Sequence, residues 1–264
     1  MRFSRTCVAI PLSLALAISV LSQQTATTLL QQSLAALSGG QPIIDVTLSG
    51  NARRIAGSND ESGTVVSKAL TTGEARVDLS LPSGSRSEVV AFSNTNKCPA
   101  GTWSGPDGAP HPISNHNLMT DPSWFFPAFT VGRLVSQDAY ALDYVGQETR
   151  NGQTVEHERA YRPSTVQLPA GIPTFTHLTQ MDVFLDSTTL LPVALAFNTH
   201  PDNNANLDIP VEIRFSDYRP VNGAQIPFHV QKFINNSLAL DLQFNSATLN
   251  SGLSPSSFTV GAGL

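Results

Sequence analysis

Strict alternation governs the last quarter of the chain. Residues 211–218, 224–233 and 238–249 place apolar side chains at every second position, the period of a strand that buries one face and wets the other. The joint between the first two, Asp217-Tyr218-Arg219-Pro220-Val221-Asn222-Gly223, holds an Asn-Gly pair, which accepts the positive φ of a tight hairpin turn. The three segments therefore form an antiparallel meander. The same rhythm recurs upstream, at 44–49, 63–69, 75–81, 87–93, 139–148, 153–161, 178–186 and 191–198, each segment bounded by Gly, Ser, Asn or Pro. Thr149-Arg150-Asn151-Gly152 supplies a second Asn-Gly hairpin, and residues 186–192 a tight connection. No helical pattern separates the four strands between 44 and 93, which argues against a parallel α/β sheet.

Two segments leave this period. Residues 25–38 repeat Leu30, Leu34 and Leu37 at three and four positions with Leu29 beside them, an amphipathic helix stopped by Gly39-Gly40. Residues 98–122 form a long irregular connection rich in Pro and Gly, with a helical turn at 114–119. Asp121-Pro122 then introduces the aromatic run Ser123-Trp124-Phe125-Phe126-Pro127-Ala128-Phe129 as a second helical piece, kinked or divided at Pro127. The expected fold is mainly β with helices (α+β). A curled antiparallel sheet or incomplete barrel of ten to eleven strands wraps around the N-terminal helix and the central aromatic helix.

The N-terminus reads as an export signal: Arg2 and Arg5, then an apolar run from Cys7 to Leu21, then a cleavage point near Ser22-Gln23. The run is shorter than the ~20 residues of a spanning helix. The expected organisation is a signal peptide over 1–22 and one domain over 23–264, located in the periplasm or secreted. Loss of Arg2 and Arg5 takes the 15 Lys+Arg to 13, against 20 Asp+Glu, a formal charge of −7. Such a chain has no electrostatic reason to bind nucleic acid. Of the two cysteines, Cys98 alone survives maturation, so an intramolecular disulfide is excluded.

No segment carries a catalytic signature. There is no Gly-x-Ser-x-Gly elbow and no phosphate-cradling Gly loop. Glu156 and Glu158 share a strand face and, flanked by His157 and Arg159, read as a polar sheet face. His111, His116 and Asp121 lack the frame of a metal site. Asp202, Asn204 and Asn206 begin like a calcium loop, but Leu207 and Ile213 occupy the positions of its Gly and bidentate Glu, leaving a solvated hairpin loop. No cofactor, metal or catalytic residue is expected. The binding element is the aromatic segment, which under a curled sheet lines an apolar pocket. The candidate ligand-binding residues are Leu30, Leu34, Trp103, Leu118, Met119, Trp124, Phe125, Phe126 and Phe129.

Four stretches carry a family likeness: Leu34-Ala35-Ala36-Leu37-Ser38-Gly39-Gly40, residues 183–192, residues 215–227, and the closing Leu249-Asn250 to Phe258. With the order of elements, they resemble the LolA/LolB-like superfamily of periplasmic lipoprotein carriers. The resemblance implies an incomplete barrel around helices whose apolar cavity holds acyl chains. It implies a monomer that binds a lipid or acylated protein, with an envelope protein as a further partner, and no enzyme. Two other roles fit the same sheet: a protein-interaction module using its concave face, and a hydrolase with a scattered site drawing on His111, His116 or His177.

Overall fold

The computed structural model describes residues 12–92, 99–120, 123–136, 139–164 and 174–259. The positive start of the export signal, Cys98 and Asp121-Pro122 lie outside the described residues. Helix α1 spans Leu12–Ser38, continuing the predicted 25–38 helix back through the Leu- and Ala-rich run that precedes it. The strands that follow are β1 (Asp45–Ala56), β2 (Asn59–Leu70), β3 (Ala75–Leu81), β4 (Gly84–Phe92), β5 (Pro99–Ser104) and β6 (Pro110–Pro112). A 3-10 turn over Asn115–Met119 and helix α2 (Pro127–Ser136) come next. The chain continues with β7 (Ala141–Arg150), β8 (Gln153–Tyr161), the short helix α3 (Phe175–Thr179), β9 (Met181–Asp186), β10 (Pro192–Thr199), β11 (Ile209–Val221), β12 (Ala224–Ile234) and β13 (Ser237–Leu249). A second 3-10 turn, Pro255–Phe258, closes it.

All thirteen strands lie in one antiparallel sheet, in the order β6-β5-β4-β3-β2-β1-β13-β12-β11-β10-β9-β8-β7. Two meanders, β1 to β6 and β7 to β13, join along the β1–β13 ladder, where Val46 opposes Leu249. The eleven predicted strands are present; β5 and β6 are additional and occupy what was expected to be an irregular connection. The expected aromatic helix is divided. Residues 123–125 form a turn, and α2 starts at Pro127, whose missing N–H costs nothing at the first helical position.

The sheet curls without closing. Helix α1 packs against both β7 and β12, which stand five places apart in the strand order. In a flat sheet that separation is roughly 24 Å, about twice a helix diameter. The inner face thus folds around α1 and α2. Ala26, Leu30 and Leu37 of α1 are fully buried there, each leucine contributing about 1.5–3 kcal/mol of burial. Phe125 and Phe126 are equally buried, and the Phe126 and Phe129 rings meet edge to face at 4.8 Å. Inward-facing residues of the strands, such as Leu48, Val77, Val183, Leu195, Ile213, Ile226 and Leu242, complete this core.

Two local details hold the curl. Gly39 sits at φ 60°, ending α1, and a Cβ there would meet the Gly223 carbonyl oxygen at 2.1 Å, so only glycine lets the helix end rest on the β11–β12 turn. At the seam, buried Asp45 accepts hydrogen bonds from Ser251 N (2.8 Å), Ser251 Oγ (2.8 Å), Gly252 N (2.8 Å) and Leu253 N (3.2 Å). This lashes the C-terminal segment to the outer face, where Phe258 packs on Leu70 and Val89.

Candidate functional site

The filled interior leaves a cleft at one end of the inner face, with a volume of about 290 Å³. Its walls come from both meanders. Glu88 of β4 and Trp103 of β5 stand directly opposite each other. Across the opening lie the cross-strand pair Phe197 and Val211, with Lys232 and Ile234 of β12. Ile113, Asn117, Leu118 and Thr120, in and around the first 3-10 turn, roof the space, and Trp124 forms its inner wall.

The lining mixes apolar side chains with Glu88, Asn117, Thr120, Thr199, Asp202 and Lys232. Trp124 is nearly buried, its indole N–H donating to Glu88 Oε1 (3.4 Å), while the Lys232 ammonium lies 4.6 Å from the ring centroid. One aromatic ring therefore sits between an anion and a cation, each held at the mouth. Trp103 is 45% exposed, and its outer side stacks on His111 at 4.3 Å between centroids. The roof is anchored by side chain to backbone bonds. Asn117 Nδ2 donates to the His200 carbonyl (2.8 Å), and Asn117 Oδ1 accepts from His200 N (2.9 Å) and Thr199 Oγ1 (3.0 Å). Ser114 Oγ donates to Asp202 Oδ1 (2.5 Å), fixing a third charged group in the lining.

The nine sequence-derived candidates separate into four groups. Trp103, Leu118 and Trp124 line this cleft. Leu34 and Phe129 border a different hollow of about 280 Å³, between the end of α1 and α2. Leu30, Phe125 and Phe126 are fully buried in the core; Met119 ends the roofing turn and is half-buried. The cleft also uses Glu88, Ile113, Phe197, Val211, Lys232 and Ile234, which sequence reasoning did not single out. The sequence placed Phe197 and Val211 in strands and ended the next strand at Phe233, one residue short of Ile234, without marking any of them as lying at a cleft.

Two further groups of polar residues stand out. Glu158, expected on a polar face, points inward: it opposes Val183 of β9 and is buried, and neither carboxyl oxygen has a hydrogen-bond partner among the described residues. Burial, with the nearby Glu156 adding to it, pushes its pKa up to about 8. The outward-facing neighbours His157 and Arg159 both donate to Asp182 instead (3.0 and 2.8 Å). Around the β10–β11 connection, His177 and His200 both bond Asp208 Oδ1. Burial lowers the His200 pKa despite the Asp208 partner.

No described protein family matches the sequence, and no curated protein does. Solved structures do match in fold. An outer membrane lipoprotein-sorting protein domain from Vibrio parahaemolyticus superposes with a TM-score of 0.55 at 13% identity, covering 89% of this chain and 97% of that one. A LolA superfamily protein from Nitrosomonas europaea gives 0.54 at 11% identity over the same shares, 89% and 97%. A DUF1329 family protein from Desulfovibrio piger gives 0.53 at 11%, covering 90% and 97%. At such identities the likeness is one of fold, and it extends over nearly the whole of each neighbour. Thirteen antiparallel strands that curl around two helices without closing are the LolA-like fold that the sequence resembles.

Proposed function

We propose that this chain is an exported protein that binds a lipid or a lipidated protein non-covalently, in a carrier-like role. An acyl chain enters the cleft between Trp103, Leu118, Trp124, Phe197, Val211 and Ile234, and its polar end meets Lys232, Glu88 and Asp202 at the rim. The observation that carries this reading is the cleft itself: a space walled by two tryptophans and aliphatic side chains, with charged groups beside them. Its volume of about 290 Å³ stands at the lower end of ordinary ligand pockets, so it takes part of one chain. Each methylene withdrawn from water contributes about 0.8 kcal/mol, and some eight to ten of them offset the ordering cost of association. The fold shared with a lipoprotein-sorting domain supports the same reading. The apolar N-terminal run supports export, and no described helix is long and apolar enough to cross a membrane.

Native mass spectrometry of the protein purified without detergent, followed by organic extraction, tests this directly. A bound mass that yields acyl-containing species is the expected result. It should fall at least ten-fold in Trp103→Glu, which places a charge opposite Glu88 without touching the core. Phe125 and Phe126 are unsuitable for this test, because polar substitution there unfolds the interior. A ligand-free mass that persists after incubation with lipids and lipopeptides would overturn the proposal and move the reading to a protein partner.

A further inference from the structure

We infer that His177, His200 and Asp208 form a binding site for a divalent transition cation of the zinc type. One ligand atom from each lies within 4.8 Å of the others. His177 Nε2 and His200 Nε2 approach the same oxygen, Asp208 Oδ1, at 2.8 and 3.1 Å. In a tetrahedral site with bonds of about 2.0–2.1 Å, neighbouring ligand atoms stand roughly 3.3 Å apart. The two nitrogen–oxygen separations already match this spacing, and the two Nε2 atoms, within 4.8 Å of each other, close by up to about 1.5 Å through rotation of the exposed His177 side chain. Two imidazoles and one carboxylate suit zinc, nickel or copper; calcium and magnesium call for an oxygen shell.

A plain hydrogen-bonded cluster explains less of the geometry. One carboxylate oxygen serves two imidazoles, although a single His–Asp pair would suffice to tie the loops. The His200 side chain is 1% exposed, and its Nδ1 has no hydrogen-bond partner among the described residues. His177 and Asp208 are each 40% exposed and border an outer-face cleft of about 310 Å³ that also receives Asp182 and Glu212. The site thus combines one buried anchor with two accessible ligands, and leaves a coordination position toward water in acidic surroundings. On binding, each Nε2 presents its lone pair to the metal, its proton moves to Nδ1, and the two hydrogen bonds to Asp208 are replaced by coordination.

The site joins α3 to the β10–β11 connection. The same connection supplies the His200 and Pro201 backbone groups that hold Asn117 and His116 of the roofing turn. An ion here fixes the segment on which the inner cleft's roof rests.

Zinc titration of the untagged protein by calorimetry tests the assignment, with Co²⁺ absorption reporting the geometry. One equivalent of zinc is expected to bind, and Co²⁺ should show the intense visible bands of a tetrahedral site. His177→Ala and Asp208→Asn should each weaken binding at least ten-fold. His229→Ala, which removes an ordinary His–Asp pair with Asp241 (2.9 Å), should leave it unchanged. His200 is avoided because its burial makes loss of fold a confounding outcome. His177 is exposed enough that its variant keeps the fold, which an unchanged melting temperature without metal verifies. The absence of stoichiometric binding below about 100 µM, or equal affinity in His177→Ala and the parent, would overturn the assignment.

Discussion

The two faces of this sheet meet the same physical demands with opposite means. Each face buries a carboxyl group. On the outer face Asp45 is buried and accepts four hydrogen bonds from the C-terminal segment; on the inner face Glu158 is buried and accepts none from the described residues. Burial raises the pKa of the first, but the hydrogen bonds outweigh it and hold the group below the usual carboxylate range. Burial raises the pKa of the second to about 8, unopposed. Each face also bears a cleft against the β10–β11 ladder, where Phe197 and Val211 border both. The inner cleft is walled by tryptophan and aliphatic groups; the outer one receives His177, Asp182, Asp208 and Glu212. The volumes, about 290 and 310 Å³, are nearly equal. Size therefore does not distinguish the two hollows. The strand period does, because side chains one residue apart emerge on opposite faces.

The sharpest test of this division is substitution in the inner core. Phe126 is fully buried between the helices and the sheet. Phe126→Ala should cost about 3–5 kcal/mol, the usual range for emptying a buried aromatic site. On the outer face Arg53 and Asp60 form a paired but half-exposed bridge at 2.6 Å, and Arg53→Ala should cost less than about 1 kcal/mol. Denaturant unfolding of both variants measures the ratio. Comparable losses would mean that the outer face carries as much of the fold as the core does.

Much of this division is legible in the sequence. Alternation located eleven strands, and the Asn-Gly pairs set the two hairpins: Asn151 and Asn222 both adopt positive φ, 51° in each case. Gly39-Gly40 marked the end of α1, although the contact with the β11–β12 turn that requires Gly39 was invisible. Strands β5 and β6 escaped because Pro99, Pro110 and Pro112 argue against strand locally. Prolines are tolerated here because β6 is an edge, whose unpaired side needs no N–H donor. The β1–β13 seam joins residues some two hundred apart, beyond any local period. The cleft shares that origin: Trp103 meets Phe197 and Lys232 only because the sheet curls. The His–Asp cluster is assembled from α3, of which only the last two residues fell in a predicted strand, and from a loop with no ligand spacing. Glu158 was assigned to a polar face from its neighbours His157 and Arg159, whereas parity alone placed it with Ala160, facing inward.

Glu158 gives the next largest effect and carries a definite sign. Its folded-state pKa of about 8 lies above the unfolded value near 4.5, so the native state binds the proton more tightly. The protein should be most stable with the group protonated, and should lose about 4 kcal/mol as pH rises from about 4.5 to about 8. Glu158→Gln keeps the shape without the charge. Its stability should be flat over that window and should exceed the parent's at pH 8. A parent whose stability does not fall between pH 5 and 8 would mean that the carboxyl has found a partner on the inner face.

Asp45 runs the other way, with a smaller effect. Its folded pKa is depressed, so its contribution is complete above the unfolded carboxylate range, near 3.9, and is lost as pH falls through the folded value. Asp45→Asn removes the charge and one acceptor oxygen. The remaining oxygen cannot serve Ser251, Gly252 and Leu253 together, so donors are left buried and unpaired, at a cost of about 1–2 kcal/mol. The loss should be local first. Hydrogen exchange at the amides of Ser251, Gly252 and Leu253 should accelerate before the inner strands are affected, and Phe258 should loosen from Leu70 and Val89. Uniform acceleration across the sheet would show instead that the seam and the inner core open as one unit, and the two faces would then be energetically inseparable.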